Sequence, residues 1–278
     1  MCRFRLDYDF IMSNFNVVSG SYFLVMGDNE KALREFDRAV GTDQNNPDYH
    51  IARGNALHYM GRQEEALSEF EKAIRINPDY SFYHYSKGSV LYELVRYKDA
   101  IWEYDEAIRL RPHDPFYRYL KGTVLYSMKR YREAVEEFEI AIAFDPANPD
   151  YHVIKGVALN YLKRHEEALR EFNKAIKMNR KDPNSHYNRG IALVMLNRFE
   201  ESTKAFKDAL KLKPDDPAAL IMLASSQACA GKDGLKTLTV AANHGVYLCQ
   251  FARRYAADQS FTQCVRSFLE EFVNSDCK

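Results

Sequence analysis

The sequence has no excess of charge: 39 Lys and Arg stand against 39 Asp and Glu in 278 residues. Nucleic-acid binders draw most of their affinity from neutralising phosphates, so zero net charge disfavours that class. The same balance argues against a charge-driven membrane anchor. No apolar run approaches the ~20 residues of a spanning helix, which excludes a helical membrane protein. Acids interrupt the start, Met1 to Asp7, where an export signal needs an unbroken apolar core, so no such signal is expected. Cysteines are few and scattered: Cys2, Cys229, Cys249, Cys264 and Cys277, with no Cys-x-x-Cys pair. That set predicts neither a disulfide framework nor a zinc site, but the reduced thiols of a cytoplasmic protein.

What the sequence has in abundance is repetition. Apolar residues make up 46% and aromatics 13%, too many for a disordered polymer. Length alone suggests about two domains, but the internal repeat overrules that prior. Gly20, Gly54, Gly88, Gly122, Gly156 and Gly190 follow one another every 34 residues. Twelve residues after each stand Ala32, Ala66, Ala100, Ala134, Ala168 and Ser202; four further on come Phe36, Phe70, Tyr104, Phe138, Phe172 and Phe206. Three beyond those are Ala39, Ala73, Ala107, Ala141, Ala175 and Ala209. Each unit carries two apolar stripes at helical spacing, such as Ala66, Leu67, Phe70, Ala73 and Ile74, parted by a short turn. Small residues let neighbouring helix backbones approach, and the aromatic ring fills the space between them. All nine prolines fall between units, where a first helical turn or a loop tolerates them. Second helices open with acids and close with bases, as Glu64 and Glu65 before Lys72 and Arg75, which complements the helix dipole.

A 34-residue unit reading Gly…Ala-x3-Phe-x2-Ala…Pro resembles the tetratricopeptide repeat family. The resemblance implies an all-α fold, a right-handed superhelical solenoid of stacked helix–turn–helix units with a helical C-terminal cap. The expected boundaries are an N-terminal extension over 1–12, which leaves Met12 as an alternative start, and repeats over 13–46, 47–80, 81–114, 115–148, 149–182, 183–216 and 217–243. Residues 244–278 are expected to cap the stack. The seventh repeat is altered: Ala224 takes the Gly position, and Gly234, Leu235, Leu238 and Ala241 arrive two residues early. Gly245 should stop it, with closing helices over Val246–Ala257 and Phe261–Phe272. The family's bulky position, four before the Gly, holds His50, His84, Arg118, His152 and His186. Helix axes about 8–10 Å apart separate equivalent rings too far for one ion needing ~2 Å bonds, so these are read as packing residues.

Catalytic signatures fail on inspection. His165-Glu166 is half of a zinc-protease pair, but Leu169 stands where the second His belongs, and position 165 matches the aromatic slot of Tyr97, Tyr131 and Phe199. Ala230-Gly231-Lys232-Asp233 lacks the earlier Gly and the hydroxyl of a phosphate loop. Cys249 with His244 offers no sign of an activated thiolate. The chain is therefore read as no enzyme, with no cofactor and no metal.

A surface remains. In the family the resemblance names, first helices line a concave groove that holds a peptide or a partner helix. Counted by the repeat, the groove candidates are Asn55, Tyr59, Tyr85, Tyr92, Tyr119, Tyr126, Asn160, Tyr161, Tyr187 and Asn188. Family members that clasp acidic chaperone tails use Lys and Arg with two Asn. Here the Lys slot holds Ile51, Tyr85 or Tyr119 and the Arg slot Ser86, Leu120 or Ile154, so the clamp is incomplete. The expected function is a non-catalytic protein-interaction scaffold or adaptor with a neutral, aromatic groove, its partner a protein or peptide and not a membrane. Two alternatives stand beside it. One is an assembly or regulatory subunit of a larger or self-associated complex, the oligomeric state being left open. The other is a helical-repeat RNA binder, kept because Lys163–Lys213 holds 13 Lys and Arg.

Overall fold

The computed structural model describes residues 15–243, 248–258 and 261–276. The expected extension over 1–12, the start at Met12, the stop at Gly245, His244 and the thiols Cys2 and Cys277 lie outside them. Among the described residues every regular element is an α-helix. In order these are α1 (15–25), α2 (Asn29–Thr42), α3 (Pro47–Tyr59), α4 (Gln63–Ile76), α5 (Ser81–Glu93), α6 (Tyr97–Leu110), α7 (Pro115–Ser127) and α8 (Tyr131–Phe144). They continue as α9 (Pro149–Tyr161), α10 (His165–Met178), α11 (Pro183–Met195), α12 (Phe199–Leu212), α13 (Pro217–Cys229), α14 (Gly234–Asn243), α15 (Cys249–Ala257) and α16 (Gln263–Asp276). The chain forms two compact units, one up to Lys129 and one from Arg130, the division falling between α7 and α8. Within the first, α3 packs on α4 and α5 on α6; within the second, α9 packs on α10 and α11 on α12.

Local chemistry sets the helix ends. Proline opens α3, α7, α9, α11 and α13, where a missing N–H costs nothing, and Asn46, Asp114, Asn148, Asp182 and Asp216 cap them with side-chain oxygens. First helices close by a tight reversal. Gly61 donates to the His58 carbonyl at 2.9 Å and Arg62 to that of Leu57 at 2.9 Å, a pairing that needs a left-handed residue at the turn. Gly27, Gly61 and Gly231 supply it freely, but Val95, Lys129, Lys163 and Asn197 adopt the same φ of about +60°. For Val95, β-branched and exposed, this conformation is strained.

The repeat core is a ring laid on a backbone. A Cβ at Gly54 would lie 2.5 Å from the Phe70 ring, at Gly88 2.8 Å from Tyr104, at Gly156 2.6 Å from Phe172 and at Gly190 2.5 Å from Phe206. Glycine is therefore required at these positions so that the ring can close the gap between two helices. Phe36, Phe70, Phe138, Phe172 and Phe206 are fully buried.

The recurrent histidines have a partner that their spacing did not announce. Nδ1 of His50, His84 and His152 lies 2.7, 2.7 and 2.6 Å from Glu69, Glu103 and Glu171, each 19 residues later on the second helix. Nε2 faces the carbonyl of Gln44, Pro78 or Pro146 six residues earlier. Each acid also meets a cation of the first helix: Arg53 at 3.6 Å, Lys87 at 2.8 Å and Lys155 at 3.6 Å. Burial by itself would raise the Glu171 carboxyl, but bonds from His152 and Lys174 and the charge of Lys155 outweigh it and hold it at about 2. Glu69 is lowered in the same way: burial opposes, and His50, Lys72 and Arg53 prevail.

The C-terminal elements share one core. Ile221, Met222, Leu238, Leu248, Ala252, Phe261, Val265, Leu269 and Phe272 form a single buried cluster, and α13 packs against α14, α15 and α16. A Cβ at Gly234 would overlap the Ala224 carbonyl, so only glycine lets the early α14 approach α13. The closing helices differ in extent from the expected ones: α15 starts at Cys249, and α16 runs from Gln263 past Phe272 to Asp276. The thiols correct the sequence reading. Cys229, at the end of α13, is joined by a disulfide to Cys264 at the start of α16, with Cα atoms 5.9 Å apart. Sequence spacing gives no hint of the pair, because the cap must fold back before the two meet.

Two outcomes follow. A folded carboxyl value below the unfolded one contributes stability that is complete above about 4.5 and is lost as pH falls towards about 2. Denaturant melts of wild type and Glu171→Gln should converge by on the order of 2 kcal/mol across that window, and a constant gap would contradict it. Val95→Gly removes left-handed strain and should raise stability by about 1 kcal/mol in urea melts.

Candidate functional site

In the first unit, side-chain bonds tie the first helices of successive repeats together. Tyr83 of α5 donates to Asp48 of α3 at 2.6 Å, and Ser81 Oγ lies 3.0 Å from Tyr117 Oη of α7. Burial first, then the Asp48 bond, pushes the Tyr83 phenol well above its ordinary value, so it stays a donor. Tyr92 Oη lies 3.0 Å from Ser127 Oγ across the same pair of helices.

On this frame α5 and α7 build an aromatic patch. The Tyr85 ring lies 5.4 Å from Phe116, 5.5 Å from Phe82 and 6.3 Å from Tyr117, and Phe116 stacks on Tyr119 at 6.5 Å. Tyr85 and Tyr119 are half-buried, whereas Phe82 and Phe116 are each 39% exposed. Phe116 contacts both tyrosines and so links the two that the repeat register places side by side. Tyr92 packs 5.8 Å from Tyr97, and Tyr126 is half-buried on α7. Asn55 is half-buried on α3, and Tyr59 is exposed at that helix's end. Sequence reasoning passed over Phe82 and Phe116, yet they carry a signal. They share one repeat position, and other repeats place Asp48, Asp150 and Asn184 there.

The other four expected residues belong to the second unit. Tyr161 stacks on Tyr131 with centroids 4.8 Å apart and planes 15° apart. Asn160 Oδ1 lies 3.1 Å from Nδ1 of His165, whose pKa burial, and then the charge of Lys163, lowers. Asn188 donates its amide to the Asn184 carbonyl at 3.0 Å. Tyr187 is already engaged: its hydroxyl lies 3.0 Å from that of Tyr255 on α15, and it packs against the C-terminal core. Burial, then Tyr255, pushes its phenol far up.

A second feature of the first unit lies between its second helices. A groove between α4 and α6 is lined by Glu64, Glu71, Lys87, Arg96, Asp99, Trp102 and Glu103, with Trp102, the chain's one tryptophan, exposed.

Because Tyr187 serves the C-terminal core, Tyr187→Ala should lower the melting temperature by several degrees, at a cost of about 3 kcal/mol. Calorimetry on the purified chain checks this; an unchanged melt would return Tyr187 to the set of free surface rings.

Residues 54–95 match a family profile described as TPR repeat, and residues 119–186 and 183–216 match profiles described as tetratricopeptide repeat. Among solved structures, MamA from Desulfovibrio magneticus RS-1 (residues 41 to its end) is 24% identical, covering 62% of this chain and 97% of its own, with a TM-score of 0.56. YrrB, described as a TPR protein with an unusual peptide-binding site, is 22% identical over 66% of this chain and 95% of its own, with a TM-score of 0.55. A tetratricopeptide repeat protein from Parabacteroides merdae ATCC 43184 is 12% identical over 95% and 98%, with a TM-score of 0.66. At such identities the likeness is one of fold. Among curated proteins no match reaches significance.

Proposed function

The chain belongs to the tetratricopeptide repeat family, and from that premise we propose that it is a non-catalytic scaffold that seats a segment of a partner protein on the first-helix face of its N-terminal unit. The observation that carries this reading is the aromatic patch of Phe82, Tyr85, Phe116 and Tyr119, four uncharged rings half open to solvent. Aromatic rings supply large contact area at little entropic cost, and two of these are held by neighbours before any ligand arrives. Apolar or proline-containing residues of an extended or helical segment fit such a surface, with Asn55 of α3 as the proposed partner of its backbone. The peptide-binding site for which YrrB is described supports a peptide as the ligand class, by analogy of fold.

Tyr85, Tyr92, Tyr119 and Tyr126 are the proposed anchors, with Tyr59 at the edge. Tyr161, Asn160 and Asn188 are secondary, and Tyr187 is set aside because α15 holds it. No described helix is long and apolar enough to cross a membrane. Reduced thiols would point to the cytoplasm, but Cys229 and Cys264 form a disulfide and give that location no support.

Peptides selected from a random display library against the full chain provide the ligand for the test. Phe82→Ala, Tyr85→Ala, Phe116→Ala and Tyr119→Ala should each weaken binding by ~1–2 kcal/mol, with weak dependence on salt. The core change Phe70→Ala should instead cost ~3–5 kcal/mol of stability. Ring variants that lose stability as Phe70→Ala does, while binding unchanged, would place the patch in the core and the site elsewhere. Steep loss of binding with salt would favour the RNA reading.

A further inference from the structure

The sixth repeat breaks the buried ionic network, and it breaks it in one consistent direction. Glu69, Glu103 and Glu171 each accept from a buried histidine and meet a first-helix cation. The same position in the sixth repeat is Ala205. Its histidine, His186, remains 91% buried, and Nε2 keeps its carbonyl, that of Arg180, at 3.1 Å. Nδ1, however, has no hydrogen-bond partner, unlike that of His50, His84 and His152, and Arg189 stands in the slot of Arg53, Lys87 and Lys155. That cation has lost its second acid as well. Asp37, Glu71 and Glu139 pair with Arg53, Lys87 and Lys155 at 2.8, 3.1 and 3.0 Å, but the equivalent residue facing Arg189 is Asn173.

The surroundings change sign together with the site. In the α4–α6 groove, acids Glu64, Glu71, Asp99 and Glu103 outnumber Lys87 and Arg96. Three repeats later, at the α10–α12 equivalents, Asn173 and Ala205 replace two of the acids, while Arg170 and Lys204 replace Ser68 and Trp102. The register is secure: Arg198 contacts Glu166 and Glu201 at 3.7 and 2.7 Å, as Arg96 contacts Glu64 and Asp99 at 3.9 and 3.0 Å.

We propose that His186 and Arg189 form a site for an external carboxylate, seated where Glu69, Glu103 and Glu171 place their own. Relative to glutamate, Ala205 lacks Cγ, Cδ and both carboxylate oxygens, which are together the heavy atoms of acetate. A buried polar group without a partner is a standing cost that a matching ligand removes. Because Nε2 faces the Arg180 carbonyl and must donate, Nδ1 can donate to a carboxylate only when the ring carries a proton on each nitrogen, so the acid binds together with one proton. Nδ1 is closed to solvent in the structure, so the ligand reaches it only as the side chains around it move aside. The carboxylate comes either as a free small acid or as an acidic side chain of a bound peptide.

The test is chemical rescue, read as a change in melting temperature at pH 6 in sodium acetate against sodium chloride of equal ionic strength. Acetate should raise the melting temperature of the full chain by about 2 °C over chloride. Ala205→Glu should melt higher without acetate and lose the acetate response, and His186→Leu should also lose it. Glu171→Ala vacates the matching place in the fifth repeat and should gain a larger response than wild type. A glutamate-rich peptide acting well below the acetate concentration would identify a partner's side chain as the source, whereas a response to acetate alone would identify a free acid. Equal melting in acetate and chloride for wild type, or a shift that persists undiminished in Ala205→Glu, overturns the proposal.

Discussion

The repeat depends on a ring pressed against a backbone. Where Phe70 meets Gly54, or Phe172 meets Gly156, the helices stand as close as an aromatic edge and a bare Cα allow. That spacing brings the neighbouring alanines into contact and leaves each pair with an apolar side that only the next pair can cover. The ionic groups fit around this contact. Because the helix pair is fixed by the ring, the histidine four residues before the glycine and the acid nineteen residues later face one another with little freedom, and the network recurs with nearly the same distances.

Much of this is legible in the sequence, for reasons that can be named. Proline at the first position, Asn or Asp before it, and glycine under an aromatic ring all act within one repeat, so their signals survive in a linear reading. The reversals at Val95, Lys129 and Lys163 are not legible, since their left-handed backbone is imposed by the helices on either side and the residues show no preference for it. The Cys229–Cys264 pair escapes for another reason: its geometry is a product of the cap's tertiary fold, and spacing carries no trace of it.

The candidate face divides along the same line. That Tyr85 and Tyr119 occupy one face follows from the period, but the rings that join them, Phe82 and Phe116, occur in only two repeats and drop out of any consensus. Tyr187 fits the pattern as well as Tyr85 does, yet α15, which is no part of a repeat, claims its hydroxyl. Averaging over repeats finds the scaffold, while the departures from the average locate chemistry. Ala205 and Asn173 are such departures, visible in the sequence from the start and given meaning only by the buried donors they leave behind.

The disulfide has a mechanical consequence. Cys229 and Cys264 bracket α14 and α15, so tension applied to the chain beyond Cys264 passes through the sulfur bridge directly into the end of α13. Pulled from its C-terminal end, the protein would first shed α16 and would then be held at α13 until the bond is reduced. The bridge makes the end of α13, and not the closing helices, the point at which force is resisted.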